Sequence, residues 1–338
     1  MAEGARGAPF HLEWIARSAT AIGHWKLVIP GVLSAEDWTL MAFKAGYVAI
    51  VGRPNVGKST LLNRLLGQKL SIVSPRPQTT RNRILGIKSL PGAQIVFVDT
   101  PGIHRSEQRF NREMTRAGLR AAGDADLILW MVDAEAPETP DDLLILESLR
   151  RVKAPCYLLI NKVDRVGKPL VLPIIDRFKD RLPFREIVPL SAASGENVDR
   201  LEALLERDLP EGHPFFPEDQ VTDRPERFLI AELIRERAFH LLRQELPYAV
   251  AVTVEQVRER EGRDLVDVGA TLYVEKASQK GIAIGAGGQM LKQIGQQSRP
   301  AIEALLGRRV NLQLVVKVRE GWRRDEDALR DLGYLDHP

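Results

Sequence analysis

Two glycine-rich stretches hold the residues best suited to chemistry. The first, "GRPNVGKS" from Gly52 to Ser59, has the spacing G-x-x-x-x-G-K-[S/T] between the apolar run "YVAIVG" and the helical pattern "KSTLLNRLLG". In that setting each residue type has a physical task. The glycines let the backbone wrap a polyphosphate and present N–H groups to it, Lys58 brings positive charge to the β- and γ-phosphates, and the Ser59 hydroxyl ligates Mg²⁺. The second stretch, "KGIAIGAGGQMLKQIG", places Gly281, Gly285, Gly287 and Gly288 just before a helix-like pattern. A glycine loop opening a helix also suits a phosphate, so one chain carries two such loops.

Three further motifs follow the first loop in order, each at the end of a hydrophobic run. "DTPG", Asp99 to Gly102, offers a carboxylate for the Mg²⁺ shell and a Gly102 N–H that can sense a γ-phosphate. "NKVD", Asn161 to Asp164, ends in a carboxylate that can accept from the N1–H and exocyclic amine of guanine, donors that adenine lacks. "SA", Ser191 and Ala192, is expected to close the base pocket with backbone N–H groups. Four motifs in this order define a GTP-binding domain. Its contact set is Gly52, Arg53, Pro54, Asn55, Val56, Gly57, Lys58, Ser59 and Thr60 in the first loop, then Asp99, Thr100, Pro101, Gly102 and Ile103, then Asn161, Lys162, Val163 and Asp164, then Ser191 and Ala192.

The polar stretch "SIVSPRPQTTRNR" is the expected first switch, with Thr80 preferred over Thr79 as a further Mg²⁺ ligand beside Ser59 and Asp99. Lys58, Asn55, Gly102 and Thr80 are the residues assigned to hydrolysis. Ile103 stands where many signalling GTPases have a glutamine, and an aliphatic chain cannot orient water, so the intrinsic rate should be slow. Asn55 can help hold K⁺ against the phosphates, supplying the charge that an arginine finger otherwise brings. His104 reads as a surface residue rather than a general base.

These motifs need a frame to position them. "AQIVFVDT", "DLILWMVD", "CYLLINK" and "EIVPLSA" read as buried strands, separated by helical stretches such as "TPDDLLILESLRRV" and "NVDRLEALLERDL". That alternation predicts a mostly parallel sheet with helices on both faces. "LPEGHPFFPEDQVTDRPER" is proline-rich and linker-like. Beyond it the order changes to α-β-β-α-α-β, an α+β domain. Between Lys276 and Arg324 ten Lys and Arg face only Glu303 and Glu320, a local charge of +8 on a chain whose total is +3. One C-terminal surface should therefore attract a polyanion.

Other chemistries find little support. The single cysteine, Cys156, sits in an apolar run, which points to packing and a reducing compartment, and the six histidines show no ligand-spaced pair. No apolar run approaches the roughly 20 residues that span a bilayer. Residues 1–40 hold three of the five tryptophans without a sustained period, and Met41 stands just before the first strand. That segment is expected to be poorly ordered or not normally translated.

"GRPNVGKSTLLNRLLGQKLSIVSPRPQTTRNRILGI", "DTPGIH", "NKVD", "SA", "FPEDQVTDRPERF" and "GWRRDEDALRDLGY" together resemble the Era family of bacterial GTPases over roughly residues 45–335. The resemblance implies an α/β P-loop GTPase domain, mostly parallel sheet with helices on both faces, over 45–210. It implies a linker over 211–224, an α+β type II KH RNA-binding domain over 225–325 and a tail over 326–338, after an extension over 1–44. In a KH module the G-x-x-G loop clamps the backbone of about four single-stranded nucleotides. Here that loop is Gly285, Ala286, Gly287 and Gly288, with Lys280, Gly281, Ile284, Lys292 and Arg299 as further RNA-binding candidates. Ile282, Ile284, Met290, Leu291 and Ile294 are either core or base-contacting. A dinucleotide fingerprint fits poorly, because its last glycine would be Met290. Family members often have lysine where this chain has Ala286.

By the same resemblance, the partners are the 3′ end of small-subunit (16S) ribosomal RNA and the assembling small subunit, and the cofactors are GTP or GDP with Mg²⁺. The expected protein is a cytoplasmic monomer without a DNA partner, and the resemblance also implies peripheral association with the cell membrane. A constitutive RNA-binding adaptor with structural GTP, or a GTPase assisting RNA modification, are the competing functions.

Overall fold

The computed structural model describes residues 43–74, 76, 80–104 and 109–334. The expectations for residues 1–40, for Thr79 and for the last four residues lie outside that set.

A six-stranded sheet is built from β1 (Lys44–Gly52), β2 (Ile84–Leu90), β3 (Ala93–Asp99), β4 (Leu127–Asp133), β5 (Cys156–Asn161) and β6 (Glu186–Pro189), in the order β2-β3-β1-β4-β5-β6. All neighbours are parallel except β2 with β3. The central strands are apolar through their middles because both faces are covered, and β3, β4 and β5 end on the polar residues Asp99, Asp133 and Asn161. From β1 and β4, Val48, Ile50, Leu129 and Met131 pack against Leu61 and Leu65 of α1 (Lys58–Leu66) and Leu201 and Leu205 of α5 (Val198–Asp208). The alternate residues Ala49, Val51, Ile128 and Trp130 face Ile145 and Leu149 of α3 (Pro140–Leu149) and Phe178 of α4 (Val171–Phe178). The antiparallel edge β2 is not apparent from its sequence pattern. Its Gly86 leaves room for α1, since a Cβ there would lie 2.7 Å from both Leu62 Cδ1 and Leu66 Cδ1.

The proline-rich passage is fixed rather than loose. Buried Gln94 of β3 accepts from the N–H groups of Phe215 (2.7 Å) and Phe216 (3.0 Å) and donates to Phe216 O (2.8 Å). Ile87 N–H donates to Val221 O (2.8 Å), and Gly212 N–H to Phe43 O (2.9 Å). The linker thus lies along the edge of the sheet. Gln94→Ala leaves two amide donors without their acceptor and should lower stability by about 2–3 kcal/mol. Urea unfolding checks this; a midpoint equal to the wild type's would refute it.

The C-terminal domain has a three-stranded sheet, β7 (Ala251–Glu259), β8 (Leu265–Val274) and β9 (Arg309–Val318), with β7-β8 antiparallel and β8-β9 parallel. Helices α6 (Glu226–Leu241), α7 (Ala277–Ile284) and α8 (Gln289–Leu306) cover it, and the core is closed by Ile230, Ile234, Leu272, Ile294 and Ile302. A short α9 (Glu326–Asp331) follows, next to buried Trp322. Helix α6 is buried on its polar side too: Glu232, Arg235 and Glu236 are all inside, and Arg235 makes two 2.6 Å bonds to Glu232. Ionised side chains are buried this way only when paired.

Candidate nucleotide site and nucleic-acid interface

Between the C-terminal ends of β1, β3, β5 and β6 lies a cavity of about 380 Å³, lined among others by Asn55, Gly57, Lys58, Ser59, Thr60, Thr80, Gly102, Asp164 and Ala192. This is where an open α/β sheet holds its ligand. Lys58 Nζ donates to Gly52 O and Arg53 O, both at 3.0 Å, and so holds its own loop in shape. Gly57 adopts φ 106°, and a Cβ on it would fall 2.2 Å from Asn161 Nδ2. The loop therefore needs glycine there for both backbone and space.

Three oxygens converge beside it. Ser59 Oγ donates to Asp99 Oδ2 (2.8 Å) and stands 2.8 Å from Thr80 Oγ1. Since the single Ser59 proton goes to the carboxylate, Thr80 donates to Ser59. Ser71 Oγ also donates to Asp99 Oδ2 (2.9 Å), while Asp99 Oδ1 is buried with no hydrogen-bond partner. Burial pushes the Asp99 carboxyl above its ordinary pKa, against the pull of Lys58, Ser59 and Ser71. An orphaned buried carboxylate oxygen beside two hydroxyls fits a hard divalent cation. Ser59, Thr80 and Asp99 would hold Mg²⁺, which supplies neutralising charge to the β- and γ-phosphates when bound.

At the base end Asn161 is a strut. Its amide donates to Val56 O (2.7 Å) and accepts from Ala192 N–H (2.9 Å), tying the phosphate loop to the "SA" turn. The expected closing residues Ser191 and Ala192 both line the cavity. Ser191 N–H goes to Glu196 O and Ala192 N–H to Asn161 Oδ1, and Ala193 lines the cavity beside them. Asp164 is exposed at the mouth. Lys162 Nζ is drawn to Asp133 Oδ2 at 2.5 Å.

Several expected contact residues stand behind the wall instead. Gly52, Val56, Thr100 and Pro101 are buried, Val163 packs on the core, and Ile103 is fully buried among Val51, Ala122 and Ile128. No water can be oriented by Ile103. Arg53 does not line the cavity either; it reaches Asp133 (3.3 Å) and Asp142 (3.4 Å) and braces the loop against α3. His104 is half-buried, with Nδ1 3.0 Å from Gly102 O. Sequence reasoning missed Ile72, Val73, Ser74, Arg165 and Ala193 as lining residues, as well as Asn63, whose side chain holds the N–H groups of Leu70 and Ser71. None of these carries a local signal.

Burial lowers the Lys58 pKa from 10.5 to about 8, with Asp99 opposing and Arg53 assisting. Bound phosphates favour the charged amine, so nucleotide binding must take up a proton where the free site is largely neutral. At pH 8.5, where GDP phosphates are already ionised, calorimetry in buffers of different ionisation enthalpy should record uptake of about 0.7 proton, and near pH 7 about 0.1. Affinity should fall as pH rises through about 8. Binding heats independent of buffer at pH 8.5 would refute this.

In the second domain the Gly285–Gly288 loop joins α7 to α8. Gly285, Gly287 and Gly288 have φ of 74°, 58° and 79°. A Cβ on Gly285 would meet Met290 Cβ at 2.8 Å, whereas Gly287 and Gly288 have nothing within 4 Å and Ala286 is exposed. The loop is closely packed on its inner side and open on its outer side. Ile294 is core and Ile282 is 59% exposed, while Ile284, Met290 and Leu291 are half-buried against the core. Gly281, Lys280 and Lys292 are exposed near the loop, and Lys280, Lys292 and Arg299 have no ion pair among the described residues. Arg299 is exposed on the same face of α8 as Lys292, about 10 Å further along at 1.5 Å per residue.

Comparison with known proteins agrees with this geometry. The profile of the family described as 50S ribosome-binding GTPase matches residues 47–162, and that of the KH domain matches 245–323. GTPase Era of Geobacter metallireducens is 52% identical over 292 residues, 86% of this chain and 98% of that protein. GTPase Era of Lacticaseibacillus paracasei is 50% identical over 290 residues, 86% and 96% of the two chains. A crystal structure of Era in complex with MgGDPNP and nucleotides 1506–1542 of 16S ribosomal RNA matches with TM-score 0.83 and 43% identity, covering 86% of this chain and 99% of that one. A point variant of Aquifex aeolicus Era bound to GDP·AlF₄⁻ gives the same values. With a GTPase domain and a KH domain in one chain, and 86% of its length matched to nearly the whole of these proteins, the protein belongs to the Era family of GTPases.

Proposed function

We propose that this GTPase is a GTP-operated switch that binds the 3′ end of small-subunit ribosomal RNA through its KH domain and acts in rRNA processing and small-subunit assembly. The observation that carries the reading is the Gly285–Gly288 loop, open on its outer side and flanked by exposed Ile282, Lys280 and Lys292, on a chain whose other domain is fitted for GTP. The relative that holds nucleotides 1506–1542 of 16S rRNA with MgGDPNP supports it. In this reading residues 45–210 hydrolyse GTP, 211–224 link the domains, and 225–325 grip single-stranded RNA. Lys58, Gly102 and Thr80 serve the γ-phosphate, and Asp164 selects guanine. Crosslinking of the bound RNA in cells tests it: the 3′ end of small-subunit rRNA should dominate, and a spread over unrelated RNAs would overturn it.

The missing cation in the RNA loop gives a sharper test. Ala286→Lys should tighten single-stranded RNA and steepen the salt dependence by about one unit of slope. An unchanged slope would mean that the loop does not meet phosphate there.

Within the same reading a K⁺ ion assists hydrolysis beside Asn55, which is exposed on the cavity wall with φ 63°, while Ile103 is turned into the core. Wild-type GTPase should then be faster in KCl than in NaCl and Asn55→Ala should lose the difference; equal wild-type rates would remove the ion. The protein is read as a cytoplasmic monomer with no DNA partner. Among the described residues no helix is long and apolar enough to cross a membrane, so the peripheral membrane association implied by the family would be made by a surface.

A further inference from the structure

The segment that carries Thr80 is gripped by the C-terminal domain, through contacts that the nucleotide motifs do not require. Arg81 is 4% exposed. Its guanidinium donates to Val250 O (2.6 Å), Tyr248 O (3.0 Å), Pro247 O (3.2 Å) and Tyr334 Oη (3.3 Å). It also lies 5.8 Å from the Trp322 ring centroid and 5.7 Å from that of Tyr334. All these partners belong to the C-terminal part of the chain, and among the described residues no carboxylate accepts a hydrogen bond from it. A buried cation satisfied by carbonyls and aromatic faces needs every one of them in place.

Upstream, the same domain holds the segment again. Arg76 donates to Phe239 O and Leu242 O, both at 2.7 Å, and Glu236 of α6 accepts from Val73 N–H (3.0 Å) and pairs with Lys69. Met114, on helix α2 (Arg109–Gly123) after "DTPG", is buried in one cluster with Trp322, Leu329 and Leu332. Both elements that would report on a γ-phosphate are therefore seated on the domain that carries the G-x-x-G loop.

We propose that Arg81 is a positioning residue of the GTP site, converting the docking of the C-terminal domain into the placement of Thr80 against Ser59. The inference deepens the function proposed above and rests on it for the role of Thr80. Consecutive Cα atoms are about 3.8 Å apart, so a chain fixed at Arg81 has little slack at Thr80. When the domain shifts, the fork loses its carbonyls and goes to water, and Thr80 leaves Ser59. Linkage makes the effect reciprocal: RNA that favours the docked domain favours GTP over GDP by the same factor. A lysine cannot replace the fork, because it offers one point charge where four acceptors are shared between two separate nitrogens.

The test uses the full chain with Arg81→Lys, Arg81→Ala, Thr80→Ala and the double variant. Affinities are measured for GDP, for GDPNP with Mg²⁺, and for an RNA oligonucleotide of the small-subunit 3′ end in each nucleotide state. Arg81→Ala should weaken GDPNP about 10-fold while GDP stays within about two-fold, and the RNA affinity ratio between the two states should fall to about one. Arg81→Lys should lie between, and it carries the test if Arg81→Ala fails to hold GDP. The double variant should lose no more GDPNP affinity than Thr80→Ala alone, because both act on one contact. Fully additive losses, or an undiminished RNA ratio in the Arg81 variants, would overturn the inference. Equal RNA affinity of the wild type in both states would instead overturn the switch reading on which it rests.

Discussion

Gly102→Ala should reduce kcat for GTP by about 100-fold while leaving GDP affinity within about three-fold. A Cβ at Gly102 would lie 2.7 Å from Pro54 N, 2.8 Å from Pro54 Cα and 2.8 Å from Pro54 Cγ. Two of those three atoms are backbone, so no rotamer change relieves the clash. The phosphate loop cannot retreat easily either. Lys58 ties Gly52 O and Arg53 O, Asn161 ties Val56 O, and Ile103 N–H donates to Gly52 O at 3.1 Å. The "DTPG" segment must therefore give way at Gly102, between Thr100, whose hydroxyl bonds to Ile50 O, and Ile103, which is sunk in the core. A displacement of several tenths of an ångström takes the Gly102 N–H off the γ-phosphate. GDP has no γ-phosphate and should not register the change. Single-turnover hydrolysis against GDP calorimetry separates the two effects, and a kcat within three-fold of wild type would sink the argument.

What the sequence made legible follows from how local each signal is. "GRPNVGKS" announces itself because backbone wrapping, charge and metal ligand fall within eight consecutive residues. Thr80 could be singled out because a switch threonine is sought in a polar loop between two motifs, and the structure brings it to Ser59. Asn161 shows the limit. A carboxamide beside a base pocket looks like a base contact, yet its nitrogen donates to Val56 O and its oxygen accepts from Ala192 N–H. One residue type satisfies either partner, and only the fold says which.

Arg81 and Glu236 were invisible for a stronger reason. The partners that matter here, in the other domain, lie more than 160 residues away, across a linker whose own attachment depends on Gln94. In helix α6 Glu232, Arg235 and Glu236 are charges of a type that normally stays in solvent, yet all three are buried, and Glu236 meets Lys69 and Val73 of the GTPase domain. In the RNA domain Ile282 and Ile294 have the same chemistry at nearby positions of one motif, and packing alone makes the second core and the first surface. The order α-β-β-α-α-β is legible because it needs only periodicity. The seating of one domain on the other is a matter of surfaces that no periodicity encodes.

Asp164→Asn should move base preference from guanine towards xanthine. Asp164 sits on the short turn Val163–Arg165 that follows Lys162, whose φ of 66° swings the chain to the cavity mouth. A carboxylate there only accepts, and guanine offers two donors on one edge, N1–H and the 2-amino group. Adenine offers neither in that arrangement. An asparagine turns one acceptor into a donor, which meets the 2-amino group head on. Two charge-assisted bonds at about 1.5–3 kcal/mol each correspond to a GTP affinity loss of about 10²- to 10⁴-fold. Xanthine carries a carbonyl in place of that amine, so the asparagine amide should accept from N1–H and donate to the 2-oxo group. XTP should then support hydrolysis better than GTP in the variant and worse in the wild type. The exposure of Asp164 means that the exchange leaves the fold unstressed, so a lost GTP affinity without gained XTP affinity would place the guanine edge elsewhere. The backbone that aims the carboxylate is fixed independently by Asn161 and by the Lys162–Asp133 pair. Base choice is then set by one side chain, and its geometry by Asn161, Lys162 and their partners.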